Sequence, residues 1–178
     1  MVEDMNDSVL AVIGRAIAFL FAPLGFGNWK AAVATITGLI AKENVVATFG
    51  ILYNFAGELA ENGDEIWSLV AADYTQLSAY SFMIFNLLCA PCFAAMGAIK
   101  REMNNGKWTC FAIGYMCVFA YAVSLIVYQL GLLLSGVFSL WTVMAVAVLA
   151  VMLYLLLRKS PYREDILTVK TAANGALK

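Results

Sequence analysis

Long apolar runs with short polar punctuation dominate the chain between Phe19 and Leu157. A helix needs about 20 apolar residues to cross a bilayer. Four such runs fit: Trp29 to Phe55, Ser78 to Ile99, Trp108 to Gln129 and Val137 to Leu157. Ahead of them, Asp7 to Phe21 reads as an amphipathic helix with an N-cap candidate at Asp7 or Ser8, interrupted by Pro23, Gly25 and Gly27. That helix is too short and broken to cross comfortably, so the pattern places it in the membrane interface with Arg15 reaching outward. A short helix packed inside a larger assembly is the alternative. The expected fold is all-α, a polytopic membrane helical bundle with an interfacial amphipathic segment over 1–28, a transmembrane domain over 29–157 and a cytoplasmic tail over 158–178.

One run is flawed in an informative way. Gly38-Leu39-Ile40-Ala41-Lys42-Glu43-Asn44 sets an adjacent cation and anion midway along the first span. An ionisable group there costs roughly 2.5–3.5 kcal/mol on insertion scales and usually marks a pathway or a binding site. Adjacent helical residues point about 100° apart, so Lys42 and Glu43 cannot neutralise each other across one turn. No other charged residue lies at that depth, which leaves unwound backbone, a wet cavity or another polypeptide to stabilise them. Gly38 favours a broken helix, and half-helix ends facing a midplane site are a recurring transporter device. A snorkelling or packed pair is the plainer alternative. Beyond the break, Glu43, Ala47, Gly50 and Asn54 share one helical face suited to close helix packing.

Composition agrees with a membrane setting: 63% of residues are apolar and 13% charged. The net charge of -1 gives no basic face for nucleic acid. Glu3, Asp4 and Asp7 make the N-terminus unlike a signal peptide. The first loop holds Glu58, Glu61, Asp64, Glu65 and Asp73 without a Lys or Arg, whereas the second holds Lys100, Arg101 and Lys107, and Arg158, Lys159 and Arg163 follow the last span. Excess Lys and Arg marks the cytoplasmic side, so both termini are expected there. Trp29, Trp108 and Trp141 stand near predicted span ends, as interfacial anchors would.

Candidate chemistry gathers in the second and third spans. Asn86, Cys89, Cys92 and Met96 fall on one helical stripe, and Pro91 cannot donate to the Leu87 carbonyl, leaving an oxygen partly free. Cys110, Gly114, Cys117, Tyr121, Ser124 and Tyr128 form a second stripe. By residue count Cys89, Cys92 and Cys117 lie near the depth of Glu43. A mixed thiolate and carboxylate set suits a borderline divalent ion such as Fe(II). Cysteines in apolar helices also serve simply as small hydrophobes, and one Cys-x-x-Cys is not a closed zinc site. The chain has no histidine, and no phosphate-binding loop that would let it hydrolyse a nucleotide.

Three motifs in order carry a family resemblance: Phe21-Ala22-Pro23-Leu24-Gly25-Phe26-Gly27-Asn28-Trp29, then Thr37-Gly38-Leu39-Ile40-Ala41-Lys42-Glu43, then Cys89-Ala90-Pro91-Cys92-Phe93-Ala94-Ala95 followed by Lys100-Arg101-Glu102. Over about Ser8 to Arg158 the chain resembles the C-terminal membrane region of the bacterial ferrous iron transport protein B family. The resemblance implies an inner-membrane Fe(II) importer, with Fe(II) as transported ion and no bound cofactor in this chain. It also implies a GTPase domain and a first gate repeat that this chain lacks, making it a fragment or one product of a split gene. Candidate metal contacts are Glu43, Cys89, Cys92 and Cys117, with Gly38, Lys42, Asn44, Asn86 and Pro91 as gating residues. Expected partners are membrane lipid, the missing transporter portions and a second copy of the chain in a homo-oligomer. A gate-type carrier of nucleosides or another small solute, and a non-transporting assembly subunit, are the competing readings.

Overall fold

The computed structural model describes residues 9–53 and 66–158. These fold into α1 (Val9–Phe21), a 3-10 turn (Ala22–Leu24), α2 (Trp29–Ile40), α3 (Asn44–Leu52), α4 (Trp67–Asp73), α5 (Gln76–Leu88), α6 (Phe93–Met103), α7 (Gly106–Leu134) and α8 (Leu140–Leu157), with no strand among the described residues. Helix starts follow local chemistry. Asn28, Thr75, Asn105 and Ser139 each accept a backbone N–H with their side chains at the N-caps of α2, α5, α7 and α8. The α5–α6 pair, α7 and α8 are long and apolar enough to cross a membrane. Val9–Leu24 and Trp29–Ile40, bent by 98°, add a fourth crossing if taken as one broken span. The acidic residues Glu58 to Glu65, Asn54 and the tail beyond Arg158 lie outside the described residues.

The first predicted span breaks at the expected place, but it does not continue across. The Thr37 and Thr48 hydroxyls are 2.9 Å apart, whereas eleven residues of continuous helix would separate them by roughly 16 Å. Residues 29–52 therefore form a helical hairpin, with α3 folded back along α2. Gly38 makes this approach feasible, since a Cβ there would stand 2.8 Å from Val45 Cγ2. In the second span, Pro91 yields more than a kink: α5 stops at Leu88 and α6 starts at Phe93. The two broken elements face each other across one layer.

The core is built around the turn between α1 and α2. Leu24 and Phe26 are fully buried. Phe26 stacks on Phe21 and meets Phe82 edge-on, each at 5.3 Å between ring centroids. The segment assigned to the interface packs Ala11, Gly14, Ala18 and Phe21 inward and leaves Val9, Val12 and Phe19 exposed. Polar groups pin this turn to the long helices. Gln129 Nε2 donates to the Pro23 carbonyl at 2.8 Å, Thr142 Oγ1 donates to Gln129 Oε1 at 3.2 Å, and Tyr121 donates to the Leu20 carbonyl at 2.9 Å. Between α5 and α7, Ser81 and Ser124 hydroxyls lie 2.7 Å apart, and Ser124 also donates to the Ser81 carbonyl. Small side chains here let the two backbones approach closely.

Gly25 tests this packing. Its φ of 86° is left-handed, and a Cβ would run into the Tyr128 ring. Gly25→Ala should destabilise the bundle by roughly 1–3 kcal/mol, whereas Gly114→Ala, a helical position with open space around it, should be neutral or slightly stabilising. Thermal unfolding of both variants in one detergent checks the contrast.

Candidate ion-path cavity

A cavity of about 270 Å³ opens where the hairpin meets the end of α5, and Gly38, Lys42, Asn86 and Cys89 are among its walls. Helix dipoles account for the adjacent charges. Ala41 is extended at the α2 C-cap, and Glu43 stands at the N-cap of α3. Lys42 thus follows a negative helix end while Glu43 precedes a positive one, each sign matching its own terminus. A break turns a costly pair into a favourable one.

Lys42 finds its partner in unwound backbone, one of the three options the sequence leaves open. Its Nζ donates to the carbonyls of Asn86 at 3.0 Å and Leu87 at 3.2 Å. Those oxygens are available because α5 ends there, and because Pro91 has no N–H to offer Leu87. Asn86 is fixed by its own Nδ2 donating to the Phe82 carbonyl at 2.9 Å. Its Oδ1 lies 3.8 Å from where a Gly38 Cβ would be, so Gly38 keeps the space before it open.

The remaining predicted residues are distributed more loosely. Cys89 Sγ and Cys117 Sγ are 3.9 Å apart, bringing α5 and α7 together at the expected common depth. Cys92 sits at the N-cap of α6, half-buried, and Cys110 is exposed. Glu43 is exposed at the mouth of the hairpin, and Asn44 begins α3, its N–H donating to the Ala41 carbonyl at 3.0 Å. Among the described residues, no three His, Cys, Asp or Glu side chains come close enough to hold an ion together. The four predicted metal contacts do not assemble into one cage. The other members of the α7 stripe pack: Tyr121 on Leu20, Ser124 on Ser81 and Tyr128 against Gly25.

Two features escaped sequence reasoning. Thr35 lines the cavity, only 7% exposed, and its Oγ1 has no hydrogen-bond partner. Threonine in an apolar helix carries no signal of its own, so its isolation emerges only from packing. The other is a clamp joining α2, α3 and α4. Lys30 Nζ bonds Asp73 Oδ2 at 2.8 Å, Tyr53 donates to the same oxygen at 2.7 Å, and the ammonium lies 3.9 Å from the Tyr53 ring centroid. In the sequence Asp73 reads only as loop charge.

The fold and its cavity define a polytopic helical membrane protein in which two broken helices meet at a cavity lined by Lys42, Asn86 and Cys89. A sequence model of the Gate family, described as nucleoside recognition, matches residues 5–106, and the chain belongs to that family as a C-terminal gate region of the FeoB type. It is 38% identical over 72% of its length to the Fe(2+) transporter FeoB of Staphylococcus aureus (strain COL), and 40% identical over 72% to that of Methanocaldococcus jannaschii. The Fe(2+) transporter FeoB of Salmonella typhimurium is 30% identical over 98% of the chain. The chain spans 18% of the first two relatives and 29% of the third. No solved structure matches it.

The clamp gives a pH signature. Hydrogen bonds from Lys30, then Tyr53, hold the Asp73 carboxyl below its ordinary value, while burial and the Asp73 bond push the Tyr53 phenol far above its own. A lowered carboxyl adds stability above its unfolded value of about 3.9, and loses it as pH falls through the folded value. Wild type should therefore exceed Asp73→Asn in stability by a constant margin from pH 8 to about 5, shrinking below about 4. Because the clamp is exposed, that margin should be about 0.2–1 kcal/mol, read as the difference between thermal unfolding curves.

Proposed function

We propose that this chain is the C-terminal membrane part of a ferrous iron importer, providing part of the Fe(II) permeation path. The cavity carries this reading: two broken helices present carbonyls, an amide and a thiol at one depth, in a chain whose relatives are named Fe(2+) transporters. Those relatives favour iron over a nucleoside. Without a closed cage, Glu43, Cys89, Cys92 and Cys117 act as successive, incomplete contacts on a moving ion, which suits conduction because a strongly held ion cannot leave. The chain itself hydrolyses no nucleotide and holds no resident cofactor. It works with the GTPase domain and first gate repeat that the family resemblance implies, and a second copy of the chain is a compatible partner.

The proposed location is the bacterial inner membrane, with both termini cytoplasmic; α1 and α2 then share a fourth crossing as one broken span, because three crossings would leave the termini on opposite sides. Lys100, Arg101 and Lys107 flank the turn between α6 and α7, and Arg158 follows α8, so α7 and α8 leave and return to one positively charged side.

Anaerobic uptake of radiolabelled Fe(II), in cells lacking their own ferrous importers, tests this. Uptake should appear when the chain is expressed with the missing segments and be absent for the chain alone. It should fall several-fold in Glu43→Gln and in the Cys89→Ser/Cys92→Ser double variant, with membrane insertion unchanged. Full uptake in an inserted variant removes its residues from the path, and no uptake in any inserted combination sinks the iron reading.

A further inference from the structure

The geometry points to a cation site inside the cavity that Lys42 currently fills: the carbonyl oxygens of Asn86 and Leu87 with the Thr35 hydroxyl form a receptor for a divalent cation, and the Lys42 ammonium is a tethered plug in it. Two helix C-termini meet here, since Gly38 and Leu39 come from the last turns of α2 and Asn86 and Leu87 from the last turn of α5. Helix C-termini carry partial negative charge, and C-terminal half-helix carbonyls are established coordinators of ions at broken spans. The ammonium at 3.0 and 3.2 Å from two such oxygens marks the position as cation-seeking.

Thr35 is the independent observation. A buried hydroxyl normally has a partner, and leaving one without costs about 1–3 kcal/mol. Thr35 Oγ1 is without one, one turn below Gly38 on the wall of the same cavity. Thr37 and Ser78, by contrast, satisfy their hydroxyls on carbonyls of their own helices or caps. An open oxygen on the wall of the cavity that Asn86, Leu87 and Cys89 also line suits an ion that keeps part of its hydration shell and accepts oxygen and sulfur alike.

Plug and cargo exclude each other. While Lys42 holds the carbonyls, a divalent ion meets both occupied ligands and a like charge. Once the ammonium swings out, the same oxygens are free. Lys42 is exposed, so an outward rotamer is open to it. Passage therefore requires displacement of Lys42, and the plug accounts for a lysine on a cation path without giving it a ligand role.

The test is anaerobic equilibrium binding of Fe(II) to the full chain in lipid nanodiscs; it rests on the iron reading only for its choice of probe. Lys42→Met and Lys42→Ala should each bind Fe(II) at least tenfold more tightly than wild type. Adding Thr35→Val to either should reverse most of that gain without lowering thermal stability, because the hydroxyl it removes is unpartnered. In the wild-type chain, saturating Fe(II) should speed acylation of Lys42 by an amine-selective reagent relative to Lys30, a readout independent of how the variants fold. Unchanged labelling, unchanged affinity in a folded Lys42 variant, or no effect of Thr35→Val overturns the site. Tight binding without cellular uptake keeps the site and sinks the transport reading, while uptake with unaltered binding does the reverse.

Discussion

A helix that stops inside an apolar layer leaves carbonyl oxygens without partners, and the organisation of this protein follows from how that deficit is met. Two helices stop at one depth, α2 at Ile40 and α5 at Leu88. Inside an apolar layer each unmet carbonyl is costly. Lys42, held at the hairpin by α2 and α3, reaches across to the last turn of α5. A single ammonium thereby ties the first broken element to the second and keeps a cavity between them.

Such a joint needs a rigid frame, and buried polar pins provide it. In lipid, helices gain little from excluding water, so close packing and hydrogen bonds decide how they associate. Gln129 shows the economy involved: one amide accepts from Thr142 on α8 and donates to Pro23 in the turn after α1. The Phe21, Phe26, Phe82 and Phe85 rings fill the space beneath. The turn with the left-handed Gly25 is thus a centre of the fold rather than a connection at its edge. Far from the cavity, the Lys30, Asp73 and Tyr53 clamp anchors the opposite end of the hairpin.

Much of this was legible beforehand. Apolar run lengths gave the helical membrane class, and Pro91 with Gly38 located both breaks. Cys89 and Cys117 were placed at one depth by counting residues, and they touch. What failed had a common cause. A break read from sequence carries no direction, so the run from Trp29 to Phe55 reads as a crossing, whereas the chain reverses at Ala41 to Glu43. Pro91 marks the Leu87 carbonyl as partly free, but no local pattern says that Lys42 is the group that reaches it. Shared stripes and depth bring Cys89 to Cys117, but they do not require Glu43 or Cys92 to face the same space.

The order of residues by itself determined where helices form and stop, because length, apolar periodicity, proline and caps act within a few residues of each other. It also determined that a cation and an anion must sit at a helix break. Only the tertiary structure decided that the break is a reversal, that Lys42 serves the carbonyls of a helix 44 residues further along, and that Thr35 is left with a free hydroxyl. These depend on which surfaces meet when segments distant in the chain pack, and no local rule relates one such surface to the other.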